Sequence, residues 1–84
     1  MLIAVTGATG FLGRYIVNEL AGRGRRFRCW HRPGADRGGF DPGVAERIEW
    51  LVGDLGDSEA ARELVADADA VIHSALDWPW ATGP

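Results

Sequence analysis

Lysine is absent from this 84-residue chain, and cysteine and tyrosine occur once each. All nine basic residues are therefore arginine, and twelve Asp and Glu residues bring the net charge to −3. A chain without a basic excess cannot neutralise many phosphates, which argues against nonspecific nucleic-acid binding. The single cysteine, Cys29, has no partner for an internal disulfide; it lies in an apolar segment, reads as a small buried hydrophobe and gives no sign of an oxidising compartment. Long apolar runs are missing too. Met1 to Thr6 is apolar but has no basic leader, and it meets Gly7 well short of a signal-peptide core or of the ~20 residues that cross a bilayer. The expectation is a soluble, cytoplasmic protein with no membrane partner, no nucleic-acid partner and no metal site.

What is present is ordinary globular composition, 46% hydrophobic and 25% charged, in a length that suits one domain. Leu2 to Thr6 is a short continuous apolar run closed by Gly7, the pattern of a strand buried on both faces. The period then changes: Leu12, Ile16 and Leu20 recur at helical spacing with Tyr15 and Val17 widening the stripe, and Gly24 stands where a helix C-terminal glycine belongs. Phe27 to His31 reads as a second strand. Pro33 to Gly43 holds four glycines and two prolines in eleven residues, so any second crossover helix is short or irregular.

Ile48 to Val52 is a third strand, with Ile48, Trp50 and Val52 on one face. Asp57 or Ser58 caps a helix running to Asp67, with Ala61, Leu64, Val65 and Ala68 on its apolar stripe and Glu59 in its first turn. Ala70 to Ser74 is a fourth strand. Leu76 to Pro84 has no periodicity and reads as an irregular tail carrying Trp78 and Trp80. Strands alternating with crossovers predict an α/β fold, the N-terminal part of a Rossmann-type doubly wound parallel sheet with strand order 3-2-1-4. Residues 1–75 form that half-domain and residues 76–84 the tail. In this order the last helix lies alone on its face and the fourth strand has an open edge, which offers a route to self-association.

The chemistry lies in Thr6-Gly7-Ala8-Thr9-Gly10-Phe11-Leu12-Gly13, between a buried strand and an amphipathic helix. Gly7 permits a tight turn, Gly10 lets the backbone approach a pyrophosphate, and Gly13 lets the helix pack on the sheet. The unpaired N–H groups of the helix start then face the anion.

The spacing Gly-x-x-Gly-x-x-Gly resembles the short-chain dehydrogenase/reductase superfamily, and Val5 to Gly13 is similar to its extended branch, the NAD-dependent epimerase/dehydratase family. Val52-Gly53-Asp54-Leu55 resembles the family's element after the third strand, and Asp69 to Ala75 its fourth strand with a His-x-Ala turn. The resemblance implies an NAD(P) cofactor, with Gly7, Gly10, Phe11, Leu12 and Gly13 at the pyrophosphate. It implies Asp54 and Leu55 at the adenine, and Ser74 and Ala75 at the ribose and nicotinamide. Where NAD-preferring members carry an acidic residue after the second strand, this chain has His31-Arg32. A guanidinium there can pair with a 2′-phosphate, so Arg32 favours NADP over NAD. Arg25, Arg26 and Arg28 read as a solvated edge, and Trp30 and Trp50 as packed between sheet and helix.

The family works through a Tyr-x-x-x-Lys pair. Here the sole tyrosine, Tyr15, lies in the first helix and there is no lysine, so no catalytic residue is assigned and a small-molecule substrate is expected only in a longer parent. His73 reads as structural. Three readings follow: the NAD(P)-binding part of an extended dehydrogenase/reductase of epimerase, dehydratase or reductase type; a non-catalytic NAD(P)-binding or redox-sensing module; or a half-domain that pairs with another chain.

Overall fold

Short apolar runs separated by crossovers leave the chain with strands that must be covered from both sides, and the structure satisfies them in a parallel sheet. The computed structural model describes residues 1–22, 24–53 and 56–74. Along the chain these form β1 (Leu2–Thr6), α1 (Phe11–Leu20), β2 (Arg26–His31), α2 (Pro42–Ala45), β3 (Ile48–Val52), α3 (Ser58–Val65) and β4 (Ala70–His73). The strands are all parallel, in the order β3-β2-β1-β4. Fold class and strand order are those expected. Asp54, Leu55, Ala75 and the tail with Trp78 and Trp80 lie outside the described residues.

Alternation along the strands divides the interior into two layers. Ile3, Val5, Phe27 and Cys29 point to the side of α1, where Val17 and Ala21 meet them and Val44 of α2 closes the outer part. Ala4 and Trp30 point the other way, against Ala60 and Leu64 of α3. Burial pushes the Cys29 thiol up to about 12, which leaves it protonated and inert at neutral pH. The α3 layer is small, as expected. Val71, the β4 neighbour of Ala4 in register, remains exposed.

Asp57 starts α3: its carboxylate accepts the N–H groups of Glu59 at 3.0 Å and Ala60 at 3.1 Å. Leu64 is buried as expected, with Ala60 beside it and Ala61 and Ala68 packed against the same layer, while Val65 of the expected stripe is exposed. The helix also stops sooner, at Val65, because Ala66 turns out of the helical region with ψ 123°, and Asp67 then takes a left-handed conformation with φ 58°.

One reading of a single residue is corrected. Arg28 is not solvated; it lies within β2 with its side chain 17% exposed. Its guanidinium donates to the carbonyls of Glu63 at 3.0 Å and Ala66 at 2.7 Å, which closes the C-terminus of α3 where the helix dipole favours a cation. Glu49 of the neighbouring strand accepts from its Nε at 2.7 Å. Trp50 is half-buried against the layer that α1 and α2 cover, and Phe40 of the loop after β2 and the His31 ring at the end of β2 each lie 5.8 Å from it between centroids. Trp30 is packed on a helix as expected, with its indole N–H donating to the Ala60 carbonyl at 3.2 Å.

Candidate functional site

The parallel strands β1, β2 and β4 end at one edge of the sheet, and every described residue expected in the site lies at or just beyond that edge. Register places Thr6 beside His73 and Val5 beside Cys29, so Gly7, Arg32 and Ser74 follow at neighbouring strand ends. This convergence is what the open α/β sheet offers a ligand.

Gly7 leaves β1 with φ +73°, a conformation that L side chains rarely adopt. The turn is held by the Gly10 N–H donating to the Gly7 carbonyl at 3.0 Å, and α1 begins with the Arg14 N–H donating to Gly10 at 3.0 Å. Gly10 is the N-cap and has no side chain to offer, so no capping side chain accepts from the first-turn N–H groups of α1. Gly13 lies directly on the turn: a Cβ there would run into the Gly7 carbonyl and stand 2.7 Å from the Ala8 Cα. Phe11 is 90% exposed and Leu12 half-exposed, flanking the open helix start. An extended N-cap without a side chain and a helix start pressed onto the strand end suit the donor set of an anion cradle.

On the β4 side, the Ser74 hydroxyl donates to the Thr6 carbonyl at 2.6 Å, fixing the chain where it leaves the sheet. His73 has a partner that was not foreseen: its Nδ1 lies 2.6 Å from the Thr6 hydroxyl oxygen. On the β2 side, Arg32 is exposed, and its guanidinium makes no hydrogen bond or ion pair among the described residues. Its carbonyl accepts the Ala35 N–H at 3.0 Å, which turns the chain back toward α1.

Two further residues shape this side. Arg14 donates through Nη2 to the Asp36 carbonyl at 2.6 Å, and Asn18 donates to the Gly39 carbonyl and accepts from the Asp41 N–H, both at 3.2 Å. Together they lash the loop after β2 onto α1. The only sequence signal for them was their spacing of four on the helix face away from the apolar stripe. Among the described residues, no group of His, Cys, Asp and Glu is placed to hold a metal ion, and no helix is long and apolar enough to cross a membrane.

Comparison with known proteins agrees with this geometry. The sequence profile of the NAD dependent epimerase/dehydratase family matches residues 3–81. The chain is 40% identical over 75 residues to the ceramide reductase of Caulobacter vibrioides, covering 88% of this chain and 22% of that protein. It is 36% identical over 75 residues to sterol demethylase protein B of Methylococcus capsulatus, covering 89% and 22%. The crystal structure of vestitone reductase from alfalfa superposes with a TM-score of 0.75 at 26% identity, over 88% of this chain and 24% of that one. The chain thus spans between a fifth and a quarter of the length of these relatives. With the glycine turn, the strand order and the profile in agreement, the chain belongs to the NAD dependent epimerase/dehydratase family.

Proposed function

We propose that residues 1–75 are the cofactor-binding half-domain of an NADP-dependent oxidoreductase of the extended short-chain type, a cytoplasmic enzyme whose proton-transfer and substrate-binding groups lie outside these residues. Family membership implies a nicotinamide dinucleotide as cofactor. The nicotinamide supplies the hydride chemistry; this chain binds and orients it. Gly7, Gly10, Phe11, Leu12 and Gly13 hold the pyrophosphate, Ser74 and Ala75 line the ribose and nicotinamide side, and Asp54 and Leu55 take the adenine. The last two and Ala75 are assigned from sequence resemblance alone.

The observation that carries the choice of NADP is Arg32, exposed and without a side-chain partner among the described residues, at the β2 end of the sheet edge, where an NAD-specific site needs a carboxylate. A charge-assisted hydrogen bond from arginine to the 2′-phosphate contributes on the order of 1.5–3 kcal/mol, or about ten- to a hundredfold in affinity. His31 neither repels the phosphate nor replaces an aspartate on the ribose, since its ring is turned onto Trp50. Calorimetric titration of NADP and NAD at fixed low salt is the test. Wild type is expected to favour NADP by at least tenfold, and Arg32→Ala to bring the two affinities close together. Tighter binding of NAD by the wild type would defeat the assignment.

A second reading, a half-domain completed by another strand, is favoured by the exposed Val71 on the thinly covered face of β4, beside an edge that pairs only with β1 among the described residues. Such an edge invites pairing. The 84-residue polypeptide is accordingly expected to sediment as a concentration-dependent oligomer; a compact monomer at high concentration in the ultracentrifuge would show that the edge needs no partner.

A further inference from the structure

The loop after β2 returns over the first turns of α1, and beneath it lies Arg14. Its side chain is 27% exposed, with the Gly39 backbone packed so closely that a Cβ at that residue would stand 2.9 Å from the Arg14 Cδ. Among the described residues, only Nη2 of the guanidinium is engaged, by the Asp36 carbonyl at 2.6 Å and, at 3.7 Å, by the Asp36 carboxylate. The Nε–H is buried and has no acceptor among the described residues. A buried donor without a partner is costly, most of all on a charged group, and natural structures retain one chiefly where something else supplies the acceptor. Nε and Nη2 form one side of the guanidinium fork, which matches two oxygens of a phosphate. Here that side is half filled.

We propose that Arg14 is a second specificity-determining residue for the cofactor's 2′-phosphate, and that Asp36 is a built-in competing anion which the phosphate displaces. This rests on the NADP reading of Arg32. Arg32 follows the end of β2 and Arg14 stands on α1, joined through the loop that starts at Arg32 and whose Asp36 carbonyl Arg14 holds. Asp36 is suited to being displaced. Its side chain is 85% exposed, it meets Arg14 at the limit of ion-pair distance, and exposed pairs of this kind contribute little. The segment that must shift contains Gly38 and Gly39, the latter at φ +88°, so the backbone has the freedom to re-form around a bound anion. A phosphate carrying close to two negative charges and three acceptor oxygens outcompetes one solvated carboxylate and also satisfies the orphaned Nε–H.

The test compares adenosine 2′,5′-bisphosphate with 5′-AMP, which differ by the 2′-phosphate alone, titrated into the chain and into the full reading frame that contains it. Asp36→Asn keeps the carbonyl that Arg14 uses and removes only the competing charge; it is expected to tighten the bisphosphate several-fold and leave 5′-AMP unchanged. Arg14→Gln is expected to weaken the bisphosphate about tenfold with no change for 5′-AMP, and Arg14→Lys to restore part of the loss. If wild type binds both nucleotides equally, the NADP reading falls and this inference with it. If wild type prefers the bisphosphate and Arg32→Ala removes the preference, while Asp36→Asn and Arg14→Gln leave it intact, then only the role of Arg14 and Asp36 is overturned. Equal weakening of both nucleotides by Arg14→Gln, with no gain in Asp36→Asn, would make Arg14 a structural clamp on the loop and also overturn it.

Discussion

Gly13→Ala is expected to destabilise the fold and to cost most of the cofactor affinity, although it adds a single methyl group. The added Cβ would occupy the space of the Gly7 carbonyl and press on the Ala8 Cα, both main-chain atoms that cannot rotate away. Either α1 lifts from the sheet or the turn opens. Overpacking of this kind costs about 1–3 kcal/mol, and a domain this small has little to spare. The same shift moves the first-turn N–H groups away from the pyrophosphate. Losing one or two such charge-assisted bonds, at about 1.5–3 kcal/mol each, weakens binding by about tenfold to about ten-thousandfold. Gly22→Ala is the control, because a Cβ there meets nothing within 4 Å. Thermal unfolding and an NADP titration on the two variants should differ sharply; a Gly13→Ala protein that melts and binds like wild type would mean that the helix start is not seated as described.

The second large effect is an absence of turnover. Residues 1–84 alone, given NADPH and a panel of carbonyl compounds and sugar nucleotides, are expected to show no protein-dependent reaction. Proton transfer by a positioned side chain contributes typically 10²–10⁴-fold, and no described group is placed to supply it. Tyr15 stands exposed on α1, and the chain contains no lysine to act on it. His73 is engaged, but with the Thr6 hydroxyl at 2.6 Å and not with a carboxylate that would tune it as a base. Turnover that survives purification and disappears in His73→Asn would refute this and make the Thr6–His73 pair part of a reaction.

What the sequence made legible was what depends on neighbours along the chain. The glycine turn, the apolar strand runs and the capping Asp57 are all local signals, and the order of the strands is the usual one of a doubly wound sheet, with the handedness of the crossovers deciding which face each helix covers. Unread were the contacts that register creates between distant positions. Thr6 and His73 are 67 residues apart and meet only because β1 and β4 lie side by side. Arg28 looked like one of a run of surface arginines until β2 placed it under the end of α3. Arg14 and Asp36 belong to different elements, and nothing in their spacing showed that a glycine-rich loop would fold one over the other.

The central claim is that a nicotinamide dinucleotide binds at the edge formed by β1, β2 and β4, across the start of α1. An NMR titration of the isotope-labelled chain with NADP tests it most directly, because each backbone amide reports its own surroundings. The account predicts the largest shifts at Gly7, Gly10, Phe11, Leu12 and Gly13, with further shifts at Arg32 and Ser74 and little change at the opposite sheet edge around Arg26 and Asp69. A saturating titration that left the amides of Gly7 to Gly13 unmoved, or that moved those around Arg26 and Asp69 instead, would contradict it.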